Sequence, residues 1–172
     1  MLSVVCVFTL VPQAQSAVAA EAVKVAAVTA SGFESKAHGG FKDFPPENTV
    51  DGKLIADSSW RAEVNDPEKG QWIQYDLGEE KKLECVKIAF VSGHKRIYRF
   101  KIEGSADGEK WTELFSGASG GQTAELETFD AGGASARYIR LTGFGNTNVN
   151  PAEENRFLKW FNIVETQIYV RD

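Results

Sequence analysis

Four consecutive residues, Gly93-His94-Lys95-Arg96, put three potential cations into one short stretch. Arg96 can make paired hydrogen bonds to a carboxylate or to adjacent hydroxyls, because a guanidinium presents a planar fork of N–H donors. His94 and Lys95 add donors beside it. Arg61, directly after Trp60, supplies another guanidinium from a separate loop. Asn146 carries a donor and an acceptor on one amide, as a sugar hydroxyl requires. Trp160, or Phe161 next to it, offers a flat apolar face of the kind that lies against a pyranose ring. These residue types describe recognition of a polyhydroxylated anion, such as a uronate polymer. The plain alternative is that they are solvated loop charges, as most Lys and Arg are.

Residues that would break bonds are not in evidence. The chain has no Gly-x-Ser-x-Gly elbow, no His-Glu-x-x-His pair, no phosphate-binding loop and no cysteine beside a histidine. Adjacent carboxylates at Glu79-Glu80 and Glu153-Glu154 fall in polar turn or loop segments and read as solvated faces.

The elements that must position the basic turn are strands. "QWIQYDL" (71 to 77) alternates Ile73, Tyr75 and Leu77 against Gln74 and Asp76. "LECVKIAFV" (83 to 91) sets Val86, Ile88 and Phe90 on one face, and "IYRFKIEGS" (97 to 105) does the same with Tyr98, Phe100 and Ile102. "KWTELFSG", "TAELETFDA", "ARYIRLTGF" and "NIVETQIYV" follow at short spacing. Period-two alternation with Gly and Asp turns predicts an all-β fold, an antiparallel sandwich of jelly-roll type. Asp107-Gly108 reads as a two-residue hairpin turn. Residues 31 to 70 read as long loops, in which Pro45-Pro46 forbids helix and central strand. Residues 146 to 157 read as a loop with a short helical turn at "PAEEN". In such a fold the loops at one end vary without harming the core, which makes 33–47, 61–69, 92–98 and 144–161 the candidate ligand surface. Phe41 and Phe44 in "GGFKDF" would suit apolar loop tips.

The chain has 172 residues and a formal net charge of −5, which argues against a nucleic-acid binder working by bulk charge. Residues 1 to 20 carry no charge and run from an apolar stretch to Ala17-Val18-Ala19. They read as a cleaved export signal, although no Lys or Arg precedes the apolar run. The expectation is a secreted, extracellular or periplasmic protein with one domain over 21–172. Cys6 lies in the signal, so Cys85 would be the single mature cysteine, a small buried hydrophobe on a strand.

The motifs "NTVDG" (48 to 52), "SSW" (58 to 60), "GQWIQYDLG" (70 to 78), "VKIAF" (86 to 90), "FKIEGSADGEKWTEL" (100 to 114), "ARYIRLTGFGNT" (136 to 147) and "NIVETQIY" (162 to 169) occur in the order of an F5/8 type C, or discoidin-like, domain. The resemblance covers about residues 27 to 170 and implies that Trp60, Trp72 and Trp111 pack in the core. More narrowly, "SSWRAE", "SGHKR" and "GFGNT…KWFNIVE" resemble the family-32 carbohydrate-binding modules that accompany alginate lyases and other polysaccharide-degrading enzymes. Phe144 stands where histidine is common in that variant, and the loop 146–159 is longer.

The resemblance implies a structural Ca²⁺ between the "DG" loop and the last strand. Carried over, Asp51 and Glu165 would give carboxylates and Ser58 a hydroxyl, with backbone carbonyls near Asn48, Leu54 and Thr166 completing the shell. Hard oxygen donors with two charges suit Ca²⁺. The alternative for Asp51 is an Asx bond within its own turn. The function implied is a non-catalytic module that binds glycan, an acidic polysaccharide by its basic turn, as accessory to a partner enzyme. Its competitors are an adhesion domain that contacts protein or membrane, and a small lyase.

Overall fold

The computed structural model describes residues 21–171. The export-signal reading and Cys6 lie outside them. The chain forms two packed antiparallel sheets from nine strands: β1 (Glu21–Ala22), β2 (Ala27–Ala30), β3 (Trp60–Glu63), β4 (Gln71–Phe90), β5 (Arg96–Ser105), β6 (Thr112–Ala118), β7 (Glu127–Asp130), β8 (Ser135–Asn148) and β9 (Trp160–Val170). One sheet runs β2–β4–β8–β5–β6, and in the other β9 takes β1, β3 and β4, with β7 on the far side of β4.

β4 belongs to both sheets. Ile73 to Asp76 pair with β2 and β8, and Cys85 to Phe90 pair with β9 and β7. The two stretches that alternate separately in sequence are therefore one strand. It is bent where its pairing with β8 shifts register between Asp76 and Lys81, and Gly78 takes φ +82° there. A strand that switches sheets makes a corner of the sandwich.

The expected inward faces are the observed ones. Ile73, Tyr75, Val86, Ile88, Tyr98 and Ile102 are all buried in one core. Its aromatic centre joins Phe90, Tyr98, Phe100 and Phe161, with Tyr98 stacked on Phe90 at 4.9 Å and Trp60 edge-on to Phe161 at 5.8 Å. Phe161 fits because β8 passes it at a glycine. A Cβ on Gly143 would fall 2.0 Å from the Phe161 ring.

Several expectations need correction. Trp60–Glu63 is a strand on β9 and not part of a long loop, because Trp60 and Ala62 face the core while Arg61 and Glu63 face out. Trp72 and Trp111 are half-buried outside the core. The Arg140 guanidinium covers both, at 4.9 and 3.9 Å from their rings. Phe44 is fully buried and is no loop tip, whereas Phe41 is 72% exposed. Pro46 opens a 3₁₀ turn, Pro46–Val50, in which its missing N–H costs nothing. The "PAEEN" stretch is a turn, closed by Glu153 N–H donating to the Asn150 carbonyl. The Asp107-Gly108 connection is longer than two residues, since β5 ends at Ser105 and β6 begins at Thr112. There Asp107 Oδ1 accepts from the Glu109 and Lys110 amides. Cys85 is on a strand as expected but half-buried, with burial pushing its thiol up.

Candidate functional site: an arginine pair at the loop end

The basic turn is built by an unusual backbone. Ser92 takes φ +55°, and its carbonyl accepts from the amides of Lys95 and Arg96. Gly93 is required, since a Cβ there would lie 2.4 Å from the Thr123 carbonyl. This turn ends where β5 begins, so Arg96 is held at a strand terminus. His94 and Lys95 are exposed and make no side-chain hydrogen bond among the described residues.

Arg61 points out of β3, opposite Asn162 of β9. Its guanidinium stacks on the Phe44 ring at 3.7 Å, and it donates from Nε to Ser59 Oγ and from Nη2 to the Ala56 carbonyl, at 3.1 and 3.0 Å. Arg96 lies over the Phe157 ring at 4.7 Å. The two guanidiniums are close enough to repel. Burial holds Arg61 below the usual guanidinium value and Arg96 pushes the same way, while Glu34 and Asp57 pull it back up. Both arginines also act on the buried Tyr98 hydroxyl, which donates to the Val91 carbonyl at 2.7 Å. Neither arginine has a carboxylate in ion-pair contact among the described residues. Two half-buried guanidiniums, each backed by an aromatic ring, are able to donate paired hydrogen bonds to an anionic oxygen group.

Asn146 is not offered to a ligand. It is buried, and its Nδ2 donates to the carbonyls of Phe157 and Trp160 at 2.7 and 2.8 Å while Oδ1 accepts from Asn155. Its work is to pin the long 149–159 loop, which carries Phe157 over Arg96. Trp160 is half-buried and pairs with Glu63, on the same outer face as Arg61. It opens onto a neighbouring groove of about 450 Å³, shared with Phe33, Glu34, His38, Glu63 and Gln71. The sequence reading put Phe44 at a loop tip and missed Phe157 and Glu34. Aromatics below a guanidinium have no local sequence signal, because their partners are distant in the chain.

Asp51 makes the Asx bond of its own turn, Oδ1 accepting the Lys53 amide at 2.9 Å, and its Oδ2 accepts from Lys53 Nζ at 3.0 Å, near the other residues that the resemblance names for a cation. Ser58 Oγ donates to Asp51 Oδ2, and the Gly52 amide donates to Glu165 Oε2 at 3.3 Å. Burial pushes Glu165 up to about 7, with the Asp51 charge adding and the Gly52 N–H pulling back. Asp51 itself sits below the ordinary carboxylate value: burial raises it, but bonds from Ser58 and Lys53 outweigh that. Asp51, Glu165 and Thr166 line one pocket. Asn48 sits in the 3₁₀ turn just before it, its amide donating to the Ser59 carbonyl, and the Thr166 hydroxyl bonds Tyr75. Leu54 is in the exposed connection between Asp51 and Ser58. A cluster of three or more acidic, His or Cys ligands is absent among the described residues. Two carboxylates with hydroxyl and carbonyl oxygens fit a hard cation of high coordination number.

Comparison with known proteins places the fold. The F5/8 type C domain model matches residues 27–157. Among curated proteins, none matches the chain. Of solved structures, the CBM32 of AlyQ in complex with 4,5-unsaturated mannuronic acid is 36% identical, with TM-score 0.69, over 86% of this chain and 97% of that one. Truncated AlyQ with CBM32 and alginate lyase domains is 35% identical, with TM-score 0.71, over 89% of this chain and 34% of that one. A pectin-binding carbohydrate-binding module is 28% identical, with TM-score 0.68, over 85% and 91%. The chain belongs to the F5/8 type C domain family, and within it is most like the CBM32 carbohydrate-binding modules.

Proposed function

We propose that the chain is a secreted, non-catalytic module that binds an acidic, uronate-bearing polysaccharide through Arg61 and Arg96. One observation carries this reading: two half-buried guanidiniums, each over an aromatic ring and within electrostatic reach of the other, have no carboxylate in ion-pair contact among the described residues. Two of the similar structures have names that specify acidic sugars, an unsaturated mannuronic acid and pectin. A uronate carboxylate would receive paired hydrogen bonds from Arg96. Arg61, already anchored by Ser59 and Ala56, would orient a second oxygen. His94 and Lys95 would add long-range attraction from solvent. Export is supported by the leader-like first twenty residues. A structural Ca²⁺ at Asp51, Ser58 and Glu165 would hold the loop before β3 against β9. The module would keep a partner enzyme on its polymer.

Affinity electrophoresis through gels containing alginate, pectin or a neutral galactan tests the reading. Wild-type protein is expected to be retarded by the acidic polymers, and Arg96→Ala to lose at least about tenfold in affinity, the scale of a hydrogen bond to a charged group. Equal retardation of wild type and Arg96→Ala would overturn it.

A further inference from the structure

The groove beside the arginine pair has the opposite electrostatic character. It holds about 450 Å³, in the range of a small-ligand site. Trp160 gives it an aromatic wall, and Gln71, fixed by Ser31, gives it an amide. Its charged lining is Glu34 and Glu63, with no Lys or Arg. His38 is its basic side chain, and its Nδ1 is engaged with Ser35 Oγ at 2.8 Å.

The groove is a neighbour of Arg61 along β3 and β9. Glu34 lines it and also acts on Arg61, whose carbonyl accepts the Glu34 amide at 2.7 Å. Trp160 and Glu63 stand opposite each other two residues along the same ribbon from Asn162 and Arg61. A sugar next to the one held by the arginines would therefore meet Trp160 and two carboxylates. An uncharged pyranose can stack on the ring and donate hydroxyls to Glu63 and Glu34. A second uronate would face like charge there.

We infer that the groove is a second sugar subsite that accepts an uncharged residue, so the preferred ligand carries one uronate next to a neutral or esterified sugar. This rests on the uronate reading of the arginine pair and deepens it.

Calorimetric titration with alginates and pectins of graded esterification tests both. Wild-type affinity should peak at intermediate esterification. Glu63→Gln should gain about threefold for the unesterified polymers, the scale of a screened surface charge contact, and shift the optimum toward them. Trp160→Ala, confirmed folded by its melting curve, should lose the peak while keeping affinity for unesterified polymer. A steady fall in affinity with esterification, the same in wild type and Glu63→Gln, would overturn the second subsite and leave the arginine site standing. Binding to neither polymer at any esterification would overturn both.

Discussion

At the scale of single residues, the molecule separates two kinds of unpaired charge. Arg61 and Arg96 face solvent at the loop end, whereas Glu165 is buried beside Asp51. A carboxyl raised from its ordinary 4.5 to about 7 binds a proton in the folded state that the unfolded chain has lost. Its stabilising effect is full below about pH 4.5 and fades as pH rises to about 7, for the metal-free protein. The expected difference between wild type and Glu165→Gln over that window is on the order of 2 kcal/mol. Melting curves at pH 5 and 7.5 in a chelator check this. Added Ca²⁺ should stabilise wild type at pH 7.5 more than at pH 5, and should not stabilise Glu165→Gln. A wild-type melting point insensitive to Ca²⁺ at both pH values would remove the metal from the account. Glu165 is named in the sequence through the resemblance, and the structure shows that its carboxyl is buried on β9. Asn146 was misread because an amide able to satisfy a sugar can equally satisfy two backbone carbonyls.

At the scale of elements, alternation revealed which faces of 71–77, 83–91 and 97–105 turn inward, since period two is a direct consequence of the strand. It did not separate a covered tryptophan from a core one. The resemblance implies that Trp72 and Trp111 are core, and only the long-range placement of Arg140 on β8 shows what shields them instead. Arg61 and Arg96 are grouped in the sequence by residue type and loop position, whereas the route that brings them together, β3 docking against β9 and the 92–95 turn, has no local pattern. Two predictions follow from how the elements meet. Gly143→Ala places a methyl into the Phe161 ring and should cost at least about 3 kcal/mol in denaturant unfolding, or prevent folding. Asn146→Ala frees the carbonyls of Phe157 and Trp160 and should cost about 2 kcal/mol. Because the loop it pins carries Phe157 over Arg96, affinity for acidic polymer should fall as well, while Asn155→Ala should fall less in both measurements.

At the scale of the whole molecule, a net charge of −5 surrounds a small cationic patch. Bulk charge would repel an acidic polymer, so binding has to come from local geometry at the loop end. Attraction through two contacts should weaken only modestly with salt, in contrast to a broad basic surface. The central claim is that a carboxylate is what the arginines read. The most direct measurement compares calorimetric affinity for alginate with that for the same polymer after its carboxyls are reduced to alcohols. The account predicts that reduction abolishes binding, leaving the fold and melting point of the protein unchanged. Equal affinity for the native and the reduced polymer would contradict it.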